Sequence, residues 1–486
     1  MSPALKGNLL SVPCPQCSEQ MFFSDLTGVC RNCRWIKFQN PKWLKENNLR
    51  FSDTNVIFVD RSRKTPRFGE IILVTPESLH KNTEKLVAKR VWGLPGEKIK
   101  IQNGMVYING FRPVRSLELL EEMRILVHND TYRPMNDEKK AVSRWKGTGK
   151  WYAGTEIGRW ICDGSEFFEK NLLAKTSINS VLTYHHAEAR VITENSEKTA
   201  RVKFCPARIT NQRAENGTQM RTAWIHPAEE FMLSFRLHTL QNLDFIAVSL
   251  PRKKNLFFPD QNLFPFSLME NFSFLNEKNN VEIFYFALNP QAFQGKSKAP
   301  HEHFYVLSSI KKTADGFCLA EPSELLISTM DGLPRTWENK KLLQELNIPA
   351  FIPFQNLAHF TFKNPFFLKS QKKPKKISVF GFLPASISWG KAKNTSKIAF
   401  VGKNKLEISK IILYRNEYFF KNAVQFSSTQ KIHDRAPSDG YFLLGDNSYI
   451  SEDSRAWGRI SQDKIYGTLL ENKDAQKNIC TENSFF

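Results

Sequence analysis

The chain has 486 residues, is 41% hydrophobic, and carries 69 lysines and arginines against 48 aspartates and glutamates, a formal charge of +21. That length and apolar content can bury a large core in two or three domains and exclude a disordered chain. The charge implies attraction to something anionic (nucleic acid, an acidic membrane surface or an acidic partner), while no run of eighteen apolar residues and no charged-then-apolar leader is legible, so the chain as printed reads as soluble.

In chain order, Met1-Ser-Pro-Ala-Leu-Lys-Gly7 runs straight into Cys14-Pro-Gln-Cys17, and Cys30-Arg-Asn-Cys33 follows twelve residues later. Two such knuckles have the spacing of a zinc ribbon, in which four thiolates close a tetrahedral site. With no open coordination position, the Zn2+ expected there folds a small lobe and performs no chemistry; two redox pairs or four free thiols are the other readings. Cys162, Cys205, Cys318 and Cys480 are scattered and read as buried thiols.

Phe51 to Arg61, Gly69 to Val74, residues 86 to 92, Lys98 to Met105 and Val106 to Asn109, the last two around Asn103-Gly104, read as short strands. Five strands in about sixty residues predict an all-β sheet or barrel. Within the third lies Lys89-Arg90-Val-Trp-Gly-Leu-Pro-Gly96. Successive strand side chains point to opposite faces, so Lys89 and Arg90 do different jobs. A desolvated lysine amine loses basicity and becomes a competent general base near neutral pH, whereas a solvated basic pair at a strand end is the plainer reading.

Ser116 to Val127 fits either a helix or a buried strand. From about 130 to 430 the pattern is strand after strand: Ala189 to Thr193 with Ala200 to Phe204 as a hairpin, then Phe245 to Leu250, Val281 to Leu288, Phe304 to Ile310, Ile377 to Phe382, Lys397 to Val401 and Ile411 to Tyr414. This density predicts an inserted β-sandwich-like domain. Lys369 to Lys376 reads as a solvated basic loop, and His301-Glu302-His303 as at most half of a metal site, with His185-His186 weaker still.

Near the C-terminus, Tyr441-Phe-Leu-Leu-Gly445-Asp446-Asn447 is an apolar strand ending in a polar turn, followed by Ser451-Glu-Asp453-Ser-Arg455-Ala-Trp457-Gly458. These residues resemble the C-terminal signature of bacterial type I signal peptidases. Lys89 to Glu97 resembles the lysine box of that family, and Gly69 to Val74 the strand before it, with Glu70 where the family usually has aspartate. The resemblance covers a small part of the chain. It implies a mainly β, signal-peptidase-like catalytic fold, anchored at the cell membrane with its catalytic domain on the extracytoplasmic side, that removes signal peptides from exported preproteins. Lys89 is then the general base and Ser451 the residue that orients it. Arg90 is expected to pair with Asp453, with Arg455 beside it and Asp446 in support, and Ile71, Val74, Met1 and Pro3 are expected to line the substrate site.

The family's nucleophilic serine lies in a Ser-x-Met-x-Pro-Thr-Leu pattern. Met1 to Gly7 matches its second half, with Pro3 and Leu5 in register and Ala4 in place of threonine, so the serine is expected ahead of Met1 and the printed start is read as an internal methionine. On this reading residues 1–13 are the remnant of the nucleophile motif, 14–36 the ribbon, 50–115 the first part of the catalytic core, 130–430 the insert, 432–470 the second part of the core and 471–486 a tail. A catalytically inactive relative that binds exported peptides is one alternative. A zinc-ribbon nucleic-acid-binding protein is another; it is disfavoured because no basic and aromatic cluster flanks Cys14 to Cys33, so no nucleic acid is expected as a partner.

Overall fold

The computed structural model describes residues 10–24, 27–38, 58–75, 86–134, 143–163, 181–193, 200–211, 213, 227–241, 244–251, 281–293, 301–314, 316–346, 398–402, 405–420, 432–433 and 440–470. Met1, Pro3, the basic loop at Lys369, the strand expected at Ile377 and the tail lie outside them. The described residues are mainly β, with a cysteine cluster and two large packed sheets.

A six-stranded antiparallel sheet has the order Ile460–Ser461, Gly440–Leu444, Val87–Gly93, Ile71–Val74, Ile465–Leu469, Val59–Asp60. Its central pair joins residues from opposite ends of the chain, with Leu444 opposite Arg90 and Leu443 opposite Val91. Alternation along Val87–Gly93 then builds two cores. Val91 packs on one face with Ile72, Val74, Leu443 and Ile465, and Trp92 on the other with Ile99, Phe442, Leu444 and Phe419. Ile99–Gln102 and Met105–Ile108 form a hairpin whose turn residues Asn103 and Gly104 both take positive φ, 52° and 75°, as a two-residue hairpin turn demands.

The ambiguous stretch after Ser116 resolves into both candidates. Ser116 caps a helix over Leu117–Met123 by accepting the Leu119 amide, and the helix buries Leu117, Leu120 and Met123 at helical spacing. At Arg124 the backbone becomes extended, and Ile125–Asn129 runs as a strand beside Leu406–Arg415.

That pairing opens the larger body. An eight-stranded sheet containing Phe231–Thr239, Leu406–Arg415 and Ser323–Ser328 faces a six-stranded sheet containing Phe245–Pro251, Val281–Ala287 and Ala399–Gly402. One continuous core fills the space between them, with Phe235, Leu237, Leu325 and Ile408 from the first meeting Val248, Phe284, Phe286 and Phe400 from the second. The hairpin expected at Ala189 is longer by a few residues, pairing Ala187–Thr193 with Ala200–Pro206. The Cys14 to Cys33 region is a four-stranded antiparallel sheet, Leu10–Pro13, Gln20–Ser24, Thr27–Cys30 and Ile36–Phe38.

Candidate active site

Lys89 sits in the middle of the strand Val87–Gly93, half-buried, and its Nζ lies 3.0 Å from Ser451 Oγ. The amine also lies 5.4 Å from the centre of the Trp457 ring. Burial is the largest influence on it and lowers its pKa from the lysine value of 10.5. Asp453 opposes that shift and Arg455 adds to it.

Ser451 can reach the amine because residue 445 has no side chain. A Cβ on Gly445 would stand 2.0 Å from Ser451 Oγ and 3.5 Å from Lys89 Nζ. Gly445→Ala is therefore expected to push Ser451 off the amine at a cost of about 1–3 kcal/mol of overpacking. Thermal melts would show the loss, and the lysine titration would move back toward its ordinary range; an unchanged titration would show that the serine is not what confines the amine.

Asp453 holds the next turn. Its carboxylate accepts the Gly445 amide at 3.0 Å and the Arg455 Nε and Nη2 at 2.7 and 2.8 Å, while capping the short helix Ser454–Trp457. Arg455 reaches on to the carbonyls of Phe420, Ser448 and Ser451. The Ser454 hydroxyl accepts the Leu443 amide at 2.8 Å, which ties this helix to the sheet.

Arg90 behaves otherwise than expected. It does not meet Asp453; its Nε and Nη2 grip the two oxygens of Asp446, each at 2.8 Å, and its Nη1 donates to Gly69 O and to Glu122 of the capped helix. The reason is strand alternation. Arg90 points to the face opposite Lys89, and it is 1% exposed, so it takes the acid reachable on that face, while Asp453 serves Arg455. Glu122 carries no sequence signal of its own, because nothing in the spacing of Leu117 to Arg124 announces which acid faces Arg90.

The register sets the faces on which the expected substrate residues lie. Ile71 stands opposite Arg90 and shares its face, whereas Ile72 stands opposite Lys89. Val74, opposite Val87, is on the lysine face but fully buried, so it belongs to the floor beneath the site. Ile450, beside Ser451, is 59% exposed. Glu70 accepts from Arg63 Nη2 at 2.6 Å and from the Arg67 amide at 2.8 Å, holding the turn that enters the strand Ile71–Val74.

The four cysteines converge. Cys14, Cys17, Cys30 and Cys33 are buried, their sulfurs all lie within 4.8 Å of one another, and the Cys14–Cys33 and Cys17–Cys30 pairs are 3.7 and 3.5 Å apart. A tetrahedral zinc with bonds of about 2.3 Å needs sulfur separations of about 3.8 Å, so the set fits a metal of that size. Amides of Gln16 and Cys33 donate to Cys14 Sγ and Cys30 Sγ, both at 3.4 Å. Among the described residues this is the one group of three or more ligand side chains so arranged. His303 is no part of a metal set, because Glu282 and Glu345 occupy its two nitrogens from opposite sides, at 3.0 and 3.2 Å. His185 and His186 hydrogen-bond to Thr183 and Tyr184.

Asn32, between the last two cysteines, is fully buried and docks the second knuckle on the sandwich. Its side chain donates to the carbonyls of Asn129 and Tyr132 and accepts the Asn129 amide, and its own carbonyl accepts from Arg144. The sequence gives no sign of this role beyond the position of Asn32 at the tip of a knuckle.

The β-fold and a half-buried lysine facing a serine define a class of protein that the comparisons with known families then narrow. The family described as "Signal peptidase, peptidase S26" matches residues 26–155 and 394–471, together less than half of the chain, and those two segments contain Lys89, Arg90, Asp446, Ser451, Asp453 and Arg455. The match supports a signal-peptidase-like chain, and with it peptidase chemistry on signal-peptide substrates. No curated protein and no solved structure matches the chain. Among the described residues no helix is long and apolar enough to cross a membrane.

Proposed function

We propose that the chain is a signal peptidase I-type serine endopeptidase that removes signal peptides from exported preproteins. Lys89 is the general base, Ser451 holds its amine, and the serine expected ahead of Met1 is the nucleophile. The observation that carries the reading is the 3.0 Å approach of Lys89 Nζ to Ser451 Oγ on a desolvating apolar face. In the reaction the serine hydroxyl attacks the carbonyl carbon after a small residue. Lys89 takes the hydroxyl proton and later gives one to the departing amine, and water hydrolyses the acyl-enzyme with the same amine as base. Arg90, Asp446, Asp453 and Arg455 are supports that fix the two strands and the serine turn.

The cysteine cluster is proposed to hold a structural Zn2+, which when bound supplies a rigid cross-link and no catalysis. Residues 14–36 are then a ribbon between the nucleophile motif and the core, and 130–430 an insert. The membrane enters the reading as the site where the substrates are presented.

The test is incubation of the chain, expressed from the first upstream in-frame start codon, with an exported precursor carrying alanine before the cleavage point. Mass spectrometry should show a single cut after that alanine. An intact precursor from a folded, metal-loaded protein would sink the reading in favour of an inactive, peptide-binding relative.

A further inference from the structure

The turn that carries Asp446 and leads to Ser451 is held from outside the catalytic sheet. Arg213 is 1% exposed and follows the strand Ala200–Pro206 in the segment between the two family-matched regions; its Nη1 donates to the Asp446 carbonyl at 2.8 Å. It lies 3.7 Å from Glu417 Oε2, and Glu417 Oε1 accepts the Ser448 amide at 3.2 Å and faces the Ser448 hydroxyl at 2.6 Å. Arg415, at the end of a sandwich strand, anchors the same group through Glu417 at 3.7 Å and through the Asn211 carbonyl at 2.8 Å. Asp446 is thus gripped twice, at its carboxylate by Arg90 of the lysine strand and at its carbonyl by Arg213 of the insert.

A buried guanidinium is tolerated only where partners replace its lost hydration. Here those partners include the backbone of the serine turn and the acid that holds it. Arg213 thereby ties the segment between the two family-matched regions to the serine turn.

We propose that Arg213 is a positioning residue of the peptidase site: with Glu417 it fixes the turn Asp446 to Ser448, and through that turn the serine that meets Lys89. The insert is then a working part of the catalytic apparatus. The inference rests on the peptidase reading above, but its test does not require cleavage. The charged groups whose fields reach Lys89 are Asp453, Arg455 and Glu452 of the serine turn and its helix and, from the opposite face, Asp446.

The full chain, labelled with 13C at lysine Cε, would be titrated by NMR, with the Lys89 signal assigned by its loss in Lys89→Met. Arg213→Met should raise the Lys89 midpoint toward the ordinary lysine range as the turn relaxes and water enters, and Arg213→Lys should restore part of the shift. Glu417→Gln, which retains size and an acceptor oxygen, should also raise the midpoint. This second variant separates position from charge: removing a cation and removing an anion act on an amine through space in opposite senses, whereas loss of positioning raises the midpoint in both.

Midpoints that move in opposite directions, or do not move in folded variants, overturn the proposal. If Arg213→Met does not fold, Glu417→Gln alone decides it by the same sign. In the cleavage assay the matching result is a loss of about ten- to a hundredfold in kcat/KM for Arg213→Met, the size of one charge-assisted hydrogen bond, with KM little changed. A wild-type chain expressed from the upstream start codon that fails to cleave while both midpoints rise would sink the peptidase reading and leave the positioning role standing.

Discussion

Replacing Lys89 with methionine is expected to lower cleavage of an exported precursor by at least about 10²–10⁴-fold, the contribution of a positioned general base, while the protein stays folded. Methionine fills similar space on the apolar face that carries Ile72 and Val91 and brings no charge to desolvate. Stability should respond with a definite sign. Because burial holds the Lys89 pKa below 10.5, the folded state binds fewer protons than the unfolded chain between the depressed value and 10.5. Wild-type stability from this group therefore rises with pH through that window and falls as the amine is forced to take a proton.

The Lys89→Met protein should lose this pH dependence and melt higher than wild type near neutrality. Wild-type cleavage should itself rise with pH as the amine deprotonates, with its acid limb below the range of an exposed lysine. Measured rates and melting curves across pH test both. Retained cleavage in Lys89→Met would remove the base assignment, and an unchanged pH dependence of melting would show that the amine is not desolvated.

Metal removal is expected to have the second large effect. One zinc per chain should be found by elemental analysis, and a strong chelator or Cys17→Ser should release it and unfold the ribbon. Metal binding in comparable Cys-rich peptides is worth about 10–16 kcal/mol of apparent free energy, far more than four strands of this length can otherwise muster. The loss should spread along the Asn32 contacts. Amide exchange should accelerate in the ribbon and also at Asn129, whose amide is held by the Asn32 side chain. A chain that binds no metal yet keeps its ribbon amides protected would exclude the metal. If Asn129 stayed protected after the ribbon had opened, the docking through Asn32 would carry no coupling.

Lys89 and Ser451 were legible because their neighbours form short motifs, and the four cysteines because two knuckles at that spacing have few other uses. Some strands of the sandwich, Phe245–Pro251 and Val281–Ala287 among them, were legible from their β-branched and aromatic runs, but Phe231–Thr239 and Ser323–Ser328 were not read as strands, nor was their pairing with each other and with Leu406–Arg415 far along the chain. The facing directions were not legible because they depend on register. Whether Ile71 or Ile72 shares the lysine face depends on a one-residue shift between neighbouring strands, which the alternation within either strand leaves free. Asp446 and Asp453 are equally good partners for Arg90 on paper, and only the facing directions separate them. Arg213 and Glu122 were illegible for a different reason: each acts through a fold-level juxtaposition, with no local pattern around it.

The central pairing of the catalytic sheet carries one more implication, for the timing of assembly in the cell. Lys89 and Ser451 are 362 residues apart in sequence, and nearly the whole sandwich is synthesised between them. At about 5–20 residues per second, the strand bearing Lys89 waits roughly 20 to 70 s on the ribosome before its partner Gly440–Leu444 emerges. During that interval Arg90 has no Asp446 and Lys89 has no serine, so a nascent chain holds only half of the site. The closing strands Gly440–Leu444 and Ile465–Leu469 are synthesised after Leu406–Arg415, the strand that joins three others in the sandwich. On the proposed function, peptidase competence is withheld until translation has passed the serine turn.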